Sequence, residues 1–522
     1  MRESIYEFEE IVHEFMYTGM REENNTMKKT EENRTDRKEK ILSIIGKLVT
    51  IIQTAVSAVT VFLLLQADLL PGKLVILAAV VLAALVVVFA LLMKRKIRLV
   101  RFLIGLVLAL LVSAGLVYAD LRLYELTHTL KNITDTTEET TRVGVYVLEE
   151  DPAQSMEDLS GYTFGILESQ AREETDNVVA QVNADLGTGI GTQTYADAAG
   201  LADGLLGGDC GAIILNEGFV GMITETEGYE DFDSRIREVT YYEWASVITE
   251  SPETREEADP INGDGIFTMY ISGIDTFGDV STRSRSDVNI MAVVNTSTRQ
   301  VLLVSTPRDY YVPLSISNGV KDKLTHAGIY GVDVSMDTLS MLYDTDIDYY
   351  FRVNFSGFEQ VIDALGGVTV QSDYSFDAGG YHYDEGANYV NGEEALAFAR
   401  ERYSFAEGDR QRGKNQMAVI TGVINKLLSP AVLNDFSGLM SGLEGSFETD
   451  LPYEGLAGLV RQQLSDGGSW NVVTYSVDGT GSRASTYSMS SKAYVMVPDQ
   501  STVNHAKQLI TMVENGEKLN QE

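Results

Sequence analysis

Carboxylates and guanidinium groups stand close together at three points in the second half of the chain: Asp275, Arg285 with Asp287, and Arg308 with Asp309. Each point borders an apolar run. Residues 266–274 read as a strand ending in Gly273-Ile274-Asp275, and a polar loop then leads to Asp287 and a second strand at 288–295. Residues 296–299 make a tight connection to a third strand, 300–305, which ends in Pro307-Arg308-Asp309. Strands running up, down and up bring the end of the first, the start of the second and the end of the third to one sheet edge. That edge would collect Asp275, Arg285, Asp287, Arg308 and Asp309. Surface ion pairs are the usual explanation of such a set. Its chemical reading is a site for a divalent cation and phosphate. Magnesium takes one or two carboxylates and fills its shell with water and phosphate oxygens, and arginine offers a bidentate fork that matches phosphate.

Two later segments extend the pattern. Asn391 can cap a helix running through Ala399, after which come Arg400-Glu401-Arg402. Side chains two residues apart share a face only in extended chain, so the helix is expected to stop near Ala399 and a short strand to present both arginines. Gly408-Asp409 opens another helix with Asp409 as its cap, and Val419, Ile420, Val423, Ile424 and Leu427 face the core. On that helix Arg412 and Gln416 are four apart and share a face. An arginine in the first turn suits an anion, because the helix N-terminus adds partial positive charge.

The elements that position these groups belong to a long chain. It has 522 residues, with 40 Lys+Arg, 76 Asp+Glu and a net charge of −36, which excludes general nucleic-acid binding. One cysteine, Cys210, excludes a disulfide framework and a cysteine-based zinc site; it reads as a small buried residue. Residues 41–65, 74–93 and 102–119 are apolar spans of membrane-crossing length, the first two separated by Pro71-Gly72. Basic clusters at 34–40 and 94–101 flank them, which keeps the N-terminus in the cytoplasm and sends everything after residue 119 outside. Residues 1–119 hold 15 basic and 12 acidic residues, leaving 25 and 64 for the rest, so the exported part carries −39.

Residues 1–40 read as a tail, with a short amphipathic helix at most. Residues 120–140 read as a helical stalk and a Thr-rich linker, and the region 120–255 as stalk plus a small α/β accessory domain. Its strands are expected at 143–148, 162–167 and 211–215 and its helices at 168–184 and 196–206. Gly187-Thr188-Gly189-Ile190-Gly191 does not follow a strand and open a helix, so it is a loop and not a dinucleotide motif. A second linker, roughly 250–265, includes Asn262-Gly263-Asp264-Gly265, a turn without the ligand spacing of a calcium loop. The catalytic domain then spans 262–515.

Gly273-Ile274-Asp275, Arg285-Ser286-Asp287, Pro307-Arg308-Asp309, Lys321-Asp322-Lys323-Leu324, Ala399-Arg400-Glu401-Arg402 and Gly408-Asp409…Arg412…Gln416 occur here in one order. Together they resemble the signature of the LytR-CpsA-Psr (LCP) family of cell-wall glycopolymer ligases, found mainly in Gram-positive bacteria. With three spans and an accessory domain the chain looks like the capsule-attaching branch. The resemblance implies a membrane-anchored α/β protein with an α/β/α catalytic domain. It implies transfer of a glycopolymer (capsule or teichoic acid) from a polyprenyl-pyrophosphate carrier lying in an apolar pocket to a peptidoglycan hydroxyl, with release of polyprenyl phosphate. By the same resemblance Asp275 and Asp287 hold Mg²⁺, with Mn²⁺ as the alternative ion. Arg285, Arg308, Arg400, Arg402 and Arg412 bind the pyrophosphate, Gln416 adds a hydrogen bond, Lys323 is a further phosphate contact, and Asp309 is a candidate base.

Phosphoryl transfer needs positioning and charge neutralisation more than a covalent nucleophile, and His326 and His382 read as structural. Three other readings compete. The same site could hydrolyse pyrophosphate; the exported part could be a non-catalytic wall-binding scaffold; or the chain could regulate transcription, which its topology argues against.

Overall fold

The computed structural model describes residues 2–94, 99–134, 138–247, 265–274, 276, 279–429, 443 and 445–520. Asp275, residues 95–98 of the second basic cluster and nearly all of the 250–265 linker lie outside the described residues. The chain divides into two compact units, Met1–Thr127 and His128–Glu522.

The first unit is three helices, α1 (Arg2–Ala67), α2 (Gly72–Leu92) and α3 (Leu99–Thr134, which runs on into the second unit). The stretches Asp36–Ala67, Gly72–Leu92 and Leu99–Lys131 are long and apolar enough to cross a membrane, with mean hydropathies of 2.3, 3.4 and 2.5. Val49, Phe89, Met93, Phe102 and Ala109 pack together, while Ile76, Leu77, Val80 and Leu111 face outward. Polar groups at these depths pair with one another, Ser113 donating to Gln53 and Thr60 to Asp120. The expected short helix or loose tail at 1–40 is corrected: α1 is continuous from Arg2, because no Pro or Gly pair interrupts the polar stretch before the first span.

The second unit is built around two large sheets, one of five strands and one of six. One has strands β1 (Glu138–Leu148), β2 (Thr163–Leu167), β3 (Gly191–Tyr195), β4 (Ala212–Asn216) and β5 (Ile236–Val247) in the order β3-β2-β4-β1-β5. Helix α4 (Arg172–Leu186) covers one face through Val178 and Val182. Helices α5 (Ala198–Gly207) and α6 (Glu217–Thr224) cover the other through Leu201, Leu205, Phe219 and Met222, and the short α7 (Phe232–Arg235) precedes β5. Cys210 is buried here, as expected. The expected Thr-rich linker is a second correction: Glu138–Thr141 is the start of β1, paired along its length with β5. Threonine is β-branched and favours strand as readily as it fills linkers.

The larger sheet has the order β16-β11-β6-β7-β8-β17. Its first strands are β6 (Ile266–Ile274), β7 (Ser286–Asn295) and β8 (Gln300–Thr306), successive and antiparallel. After these come β9 (Tyr311–Pro313), β10 (Lys321–Lys323), α8 (Ala327–Tyr330), α9 (Val332–Tyr343), β11 (Tyr349–Val353) and α10 (Phe355–Ala364). Two small ladders follow, β12 (Val368–Ser372) with β15 (Gly386–Val390) and β13 (Phe376–Ala378) with β14 (Tyr381–Tyr383). Then come α11 (Gly392–Arg400), α12 (Asp409–Leu427), β16 (Phe447–Thr449), β17 (Asn471–Ser476) and the ribbon β18 (Gly479–Ala484) with β19 (Ala493–Pro498). Alternate residues of β7 and β8 face opposite sides. Met291, Val293, Leu302 and Val304 pack with Leu339 of α9 and Ile510 of the C-terminal helix Gln500–Glu514; Ile290, Ala292, Val301 and Leu303 pack with Met417 of α12. Helices on both faces make this the expected α/β/α layer.

The two sheets are joined by buried charge. Glu139 of β1, fully buried, accepts from Arg283 Nε at 2.9 Å, from Arg352 Nη1 and from the Val332 backbone N–H at 3.2 Å. Arg352 of β11 also donates to Glu448 of β16. Removing one member of such a network strands the others without solvent. We expect Glu139→Ala to lower the unfolding free energy of the second unit by ~3–5 kcal/mol, read from denaturant midpoints of the full chain in detergent. An unchanged midpoint would mean that the network does not hold the two sheets together.

Candidate active site

The antiparallel register delivers what the strand pattern anticipates. Ile274, the last residue of β6, pairs with Ser286, the first of β7, and Asn289 of β7 pairs with Thr306, the last of β8. Arg285, Asp287, Arg308 and Asp309 therefore come out at one edge, next to the end of β6. Arg308 Nη1 donates to both oxygens of Asp287, at 2.9 and 2.8 Å, and the Thr325 hydroxyl donates to Asp287 Oδ1 at 3.2 Å. Lys323, at the end of β10, places Nζ 3.1 Å from Asp309 Oδ1. Arg308 Nε is buried without a hydrogen-bond acceptor among the described residues and lies 3.9 Å from an Asp309 oxygen. A donor left open in this way suits an anion oxygen.

A carboxylate from the module of the smaller sheet completes the cluster. Glu225, which follows α6, accepts from Arg285 Nη1 at 2.6 Å and from Arg308 Nη2 at 3.1 Å, and lies 3.5 Å from Lys323 Nζ. Burial by itself would raise the Glu225 pKa, but Arg308, Arg285 and Lys323 outweigh it and hold the carboxyl down at about 2. For Arg308 burial would lower the pKa, and Asp287, Glu225 and Asp309 together push it above the ordinary arginine value.

Lys323 is placed by its neighbour. Asp322, fully buried, accepts from His326 Nδ1–H at 2.7 Å, from the Ser488 backbone N–H at 2.9 Å and from the Lys323 backbone N–H at 2.7 Å. Burial would raise the Asp322 pKa, but His326, the Ser488 hydroxyl and the Lys323 N–H lower it. The structural reading of His326 agrees with this contact. His382 is exposed and sits beside Asp377 and Asp384.

The second group of expected residues stands against the first. Gly413 of α12 packs on Ser305 of β8, where a Cβ would come within 3.0 Å of the hydroxyl. Arg402 Nη1 lies 3.6 Å and Arg412 Nη1 3.5 Å from Asp409 Oδ1, and Gln416 donates to the Ala399 carbonyl at 3.5 Å. Arg402 feels the field of Arg308, and Tyr494 that of both Asp309 and Asp409, so the two clusters adjoin.

Two expectations about this region are corrected. No strand presents Arg400 and Arg402. Arg400 is the last residue of α11, exposed, with its guanidinium 4.2 Å over the Phe355 ring, and Arg402 sits in the following irregular segment. The helix keeps Arg400 because its Asn391–Glu394 capping box fixes the start and Gly392–Arg400 propagates from it. Asp409 is not the cap of α12 either: Gly408, at φ +52°, is the N-cap, and Asp409 is the first helical residue. Phe355 itself donates to the Thr276 carbonyl at 3.3 Å, so Arg400 borders the loop after β6.

Sequence reasoning missed Glu225 and Thr325. Thr325 carries a signal, two residues beyond Lys323. Glu225 carries none, in a Thr-Glu-Thr-Glu-Gly stretch that resembles any acidic surface loop. Asp287 accepts from two donors yet keeps lone pairs free, so its carboxylate fits a divalent ion. Among the described residues no group of three or more His, Cys, Asp or Glu could hold a metal by themselves. An ion here would depend on phosphate and water oxygens as well, which is the habit of Mg²⁺.

The lowered Glu225 pKa has a consequence for stability. Because its folded value lies below the ordinary 4.5, its stabilisation is fully present above about pH 4.5 and is lost as pH falls toward 2. We expect the stability difference between the wild-type chain and Glu225→Gln to be on the order of 2–3 kcal/mol at pH 7 and to close between pH 4.5 and 2, measured by unfolding at each pH.

A family model, the LytR_cpsA_psr family, matches residues 238–509, more than half of the chain. The teichoic acid transferase TagU of Bacillus licheniformis, named polyisoprenyl-teichoic acid–peptidoglycan teichoic acid transferase, is 33% identical over 225 residues, 41% of this chain and 72% of that protein. TagU of Bacillus subtilis is 32% identical over 254 residues, 47% of this chain and 81% of that protein. The crystal structure of B. subtilis TagU covers 49% of this chain and 99% of its own, at 28% identity and a TM-score of 0.38. On the family match and these identities, the chain belongs to the LytR-CpsA-Psr family.

Proposed function

We propose that this chain is a membrane-anchored phosphotransferase. It moves a glycopolymer, capsule or teichoic acid, from a polyprenyl-pyrophosphate carrier to a peptidoglycan hydroxyl and releases polyprenyl phosphate. The observation that carries the reading is the meeting of Arg285, Arg308 and Lys323 beside Asp287 at one sheet edge, with Arg402 and Arg412 adjoining. The names of the TagU relatives, which specify a polyisoprenyl-linked donor and peptidoglycan, support it. In this reading residues 120–255 are the stalk and accessory module and 262–515 the catalytic module. The N-terminus is cytoplasmic and both modules are extracytoplasmic.

The pyrophosphate would lie against Arg285, Arg308 and Lys323, with Arg400, Arg402, Arg412 and Gln416 along its glycan-bearing side. The acceptor hydroxyl oxygen attacks the phosphorus nearer the glycan, and its proton passes to the Asp309 carboxylate. The bond from that phosphorus to the bridging oxygen breaks, and polyprenyl phosphate leaves with the bonding electrons. The arginines neutralise charge on the phosphate oxygens throughout. Asp287, with Asp275, would hold Mg²⁺ (or Mn²⁺), which when bound supplies further neutralisation of the pyrophosphate. For the lipid tail the fold offers the sheet face toward α12, where Met269, Ile271, Val288, Val294, Ile420 and Ile424 are only partly covered. A cavity of about 580 Å³ beside α12 combines Met417, Val472 and Val473 with polar Thr369, Gln371 and Gln411.

Incubation of the full chain with lipid-linked glycan, with and without peptidoglycan acceptor, separates transfer from hydrolysis. We expect polyprenyl phosphate to form only when the acceptor is present, and equal release without it would make the enzyme a pyrophosphatase. Arg308→Ala should lower transfer at least ~100-fold, the order seen on removing one charge-stabilising donor, with the fold retained by circular dichroism. Asp287→Ala should abolish transfer, and a normal rate would remove the metal assignment.

A further inference from the structure

Glu225 belongs to the small sheet's side of the molecule, yet its carboxylate touches three cations of the site and, among the described residues, no cation of its own module. Helix α6 is built to bring it there. Gly221 of α6 lies against Arg285, where a Cβ would come 3.1 Å from Nη2 and push the guanidinium by a few tenths of an ångström, so a glycine here favours the close approach. Gly218 packs on Ile329 of α8, and Thr226 donates to Met489 Sδ at 3.3 Å, fixing the segment on both sides of Glu225. The C-terminal end of α6 adds partial negative charge of its own. A carboxylate and a helix end are thus held against the cations that the proposed function gives to the pyrophosphate.

We infer that Glu225 is an active-site residue supplied by the accessory module: its carboxylate holds the place of a phosphate among Arg285, Arg308 and Lys323, is displaced when the pyrophosphate enters, and returns as the monophosphate product leaves. The inference rests on the reading of these cations as the pyrophosphate site. A single carboxylate carries one negative charge, and pyrophosphate carries more over two groups, so the substrate outcompetes it in the same field. The returning carboxylate offers the cations a partner when the reaction has left only a monophosphate behind, which favours product release. The resting site is also kept neutral enough to stay assembled. Displacement releases the segment after α6 from its ties to Arg285, Arg308 and Lys323, so occupancy of the site is felt in the accessory module.

Binding of inorganic pyrophosphate and of inorganic phosphate to the full chain in detergent, by calorimetry, tests this directly. Glu225→Gln should bind both about tenfold more tightly than wild type, a gain equivalent to 1.4 kcal/mol. A purely structural role would not tighten binding. In the wild-type chain, pyrophosphate should also speed amide exchange across residues 225–231, a measurement that does not depend on how well the variant folds. Equal or weaker binding by a folded Glu225→Gln, or exchange at 225–231 that is unchanged or slower, overturns the inference while leaving the site reading intact. Failure of both chains to bind pyrophosphate overturns the site reading and this inference with it.

Discussion

Three like charges that share one small region repel one another, and in this protein Arg285, Arg308 and Lys323 all reach the same Glu225 carboxylate. Two unit charges 4 Å apart interact by about 4 kcal/mol at an effective dielectric constant of 20, so the cluster exists only because carboxylates separate its members. Asp287 takes Arg308 from one side, Asp309 takes Lys323, and Glu225 bridges all three cations. The arrangement also ties the two modules together, because one of the three carboxylates comes from the segment after α6. The −36 net charge of the whole chain gives the cluster its setting: a local concentration of arginine within an acidic molecule selects a compact anion and not an extended polyanion.

The antiparallel order of β6, β7 and β8 is the simplest way to build such an edge. Two consecutive turns return the chain to the same side, and each strand end contributes its polar neighbours there. Helix α12 then closes on β8 through Gly413 and brings Arg412 and the Asp409 pairings alongside. Buried ion pairs are weak sources of stability but demanding of geometry. The Glu139–Arg352–Glu448 network is therefore better read as alignment of the two sheets than as a store of stability.

The strand ends were legible because mainly apolar strands of seven to ten residues alternate with polar connections, a pattern that leaves few registers. The α11 start was legible from Asn391 and Glu394, whose reciprocal bonds are local. What failed depended on partners far away in sequence. The Thr-rich start of β1 resembles a linker until its strand partner and the Arg352 guanidinium, 213 residues on, are supplied. Arg400 and Arg402 were placed on one face by spacing alone, whereas Phe355 draws one and Asp409 the other. Glu225 is 60 residues from Arg285 and 98 from Lys323, and no local pattern distinguishes it from its acidic neighbours. Asp275, expected as a metal ligand, lies outside the described residues.

The claim that this cluster is a pyrophosphate site is tested most directly by native mass spectrometry of the full chain in mild detergent after addition of polyprenyl pyrophosphate. The account predicts one lipid retained per wild-type chain and its loss on Arg308→Ala, with bulk phospholipid carried equally by both. Retention of polyprenyl pyrophosphate by Arg308→Ala at the wild-type level, or no retention by the wild-type chain, would contradict it.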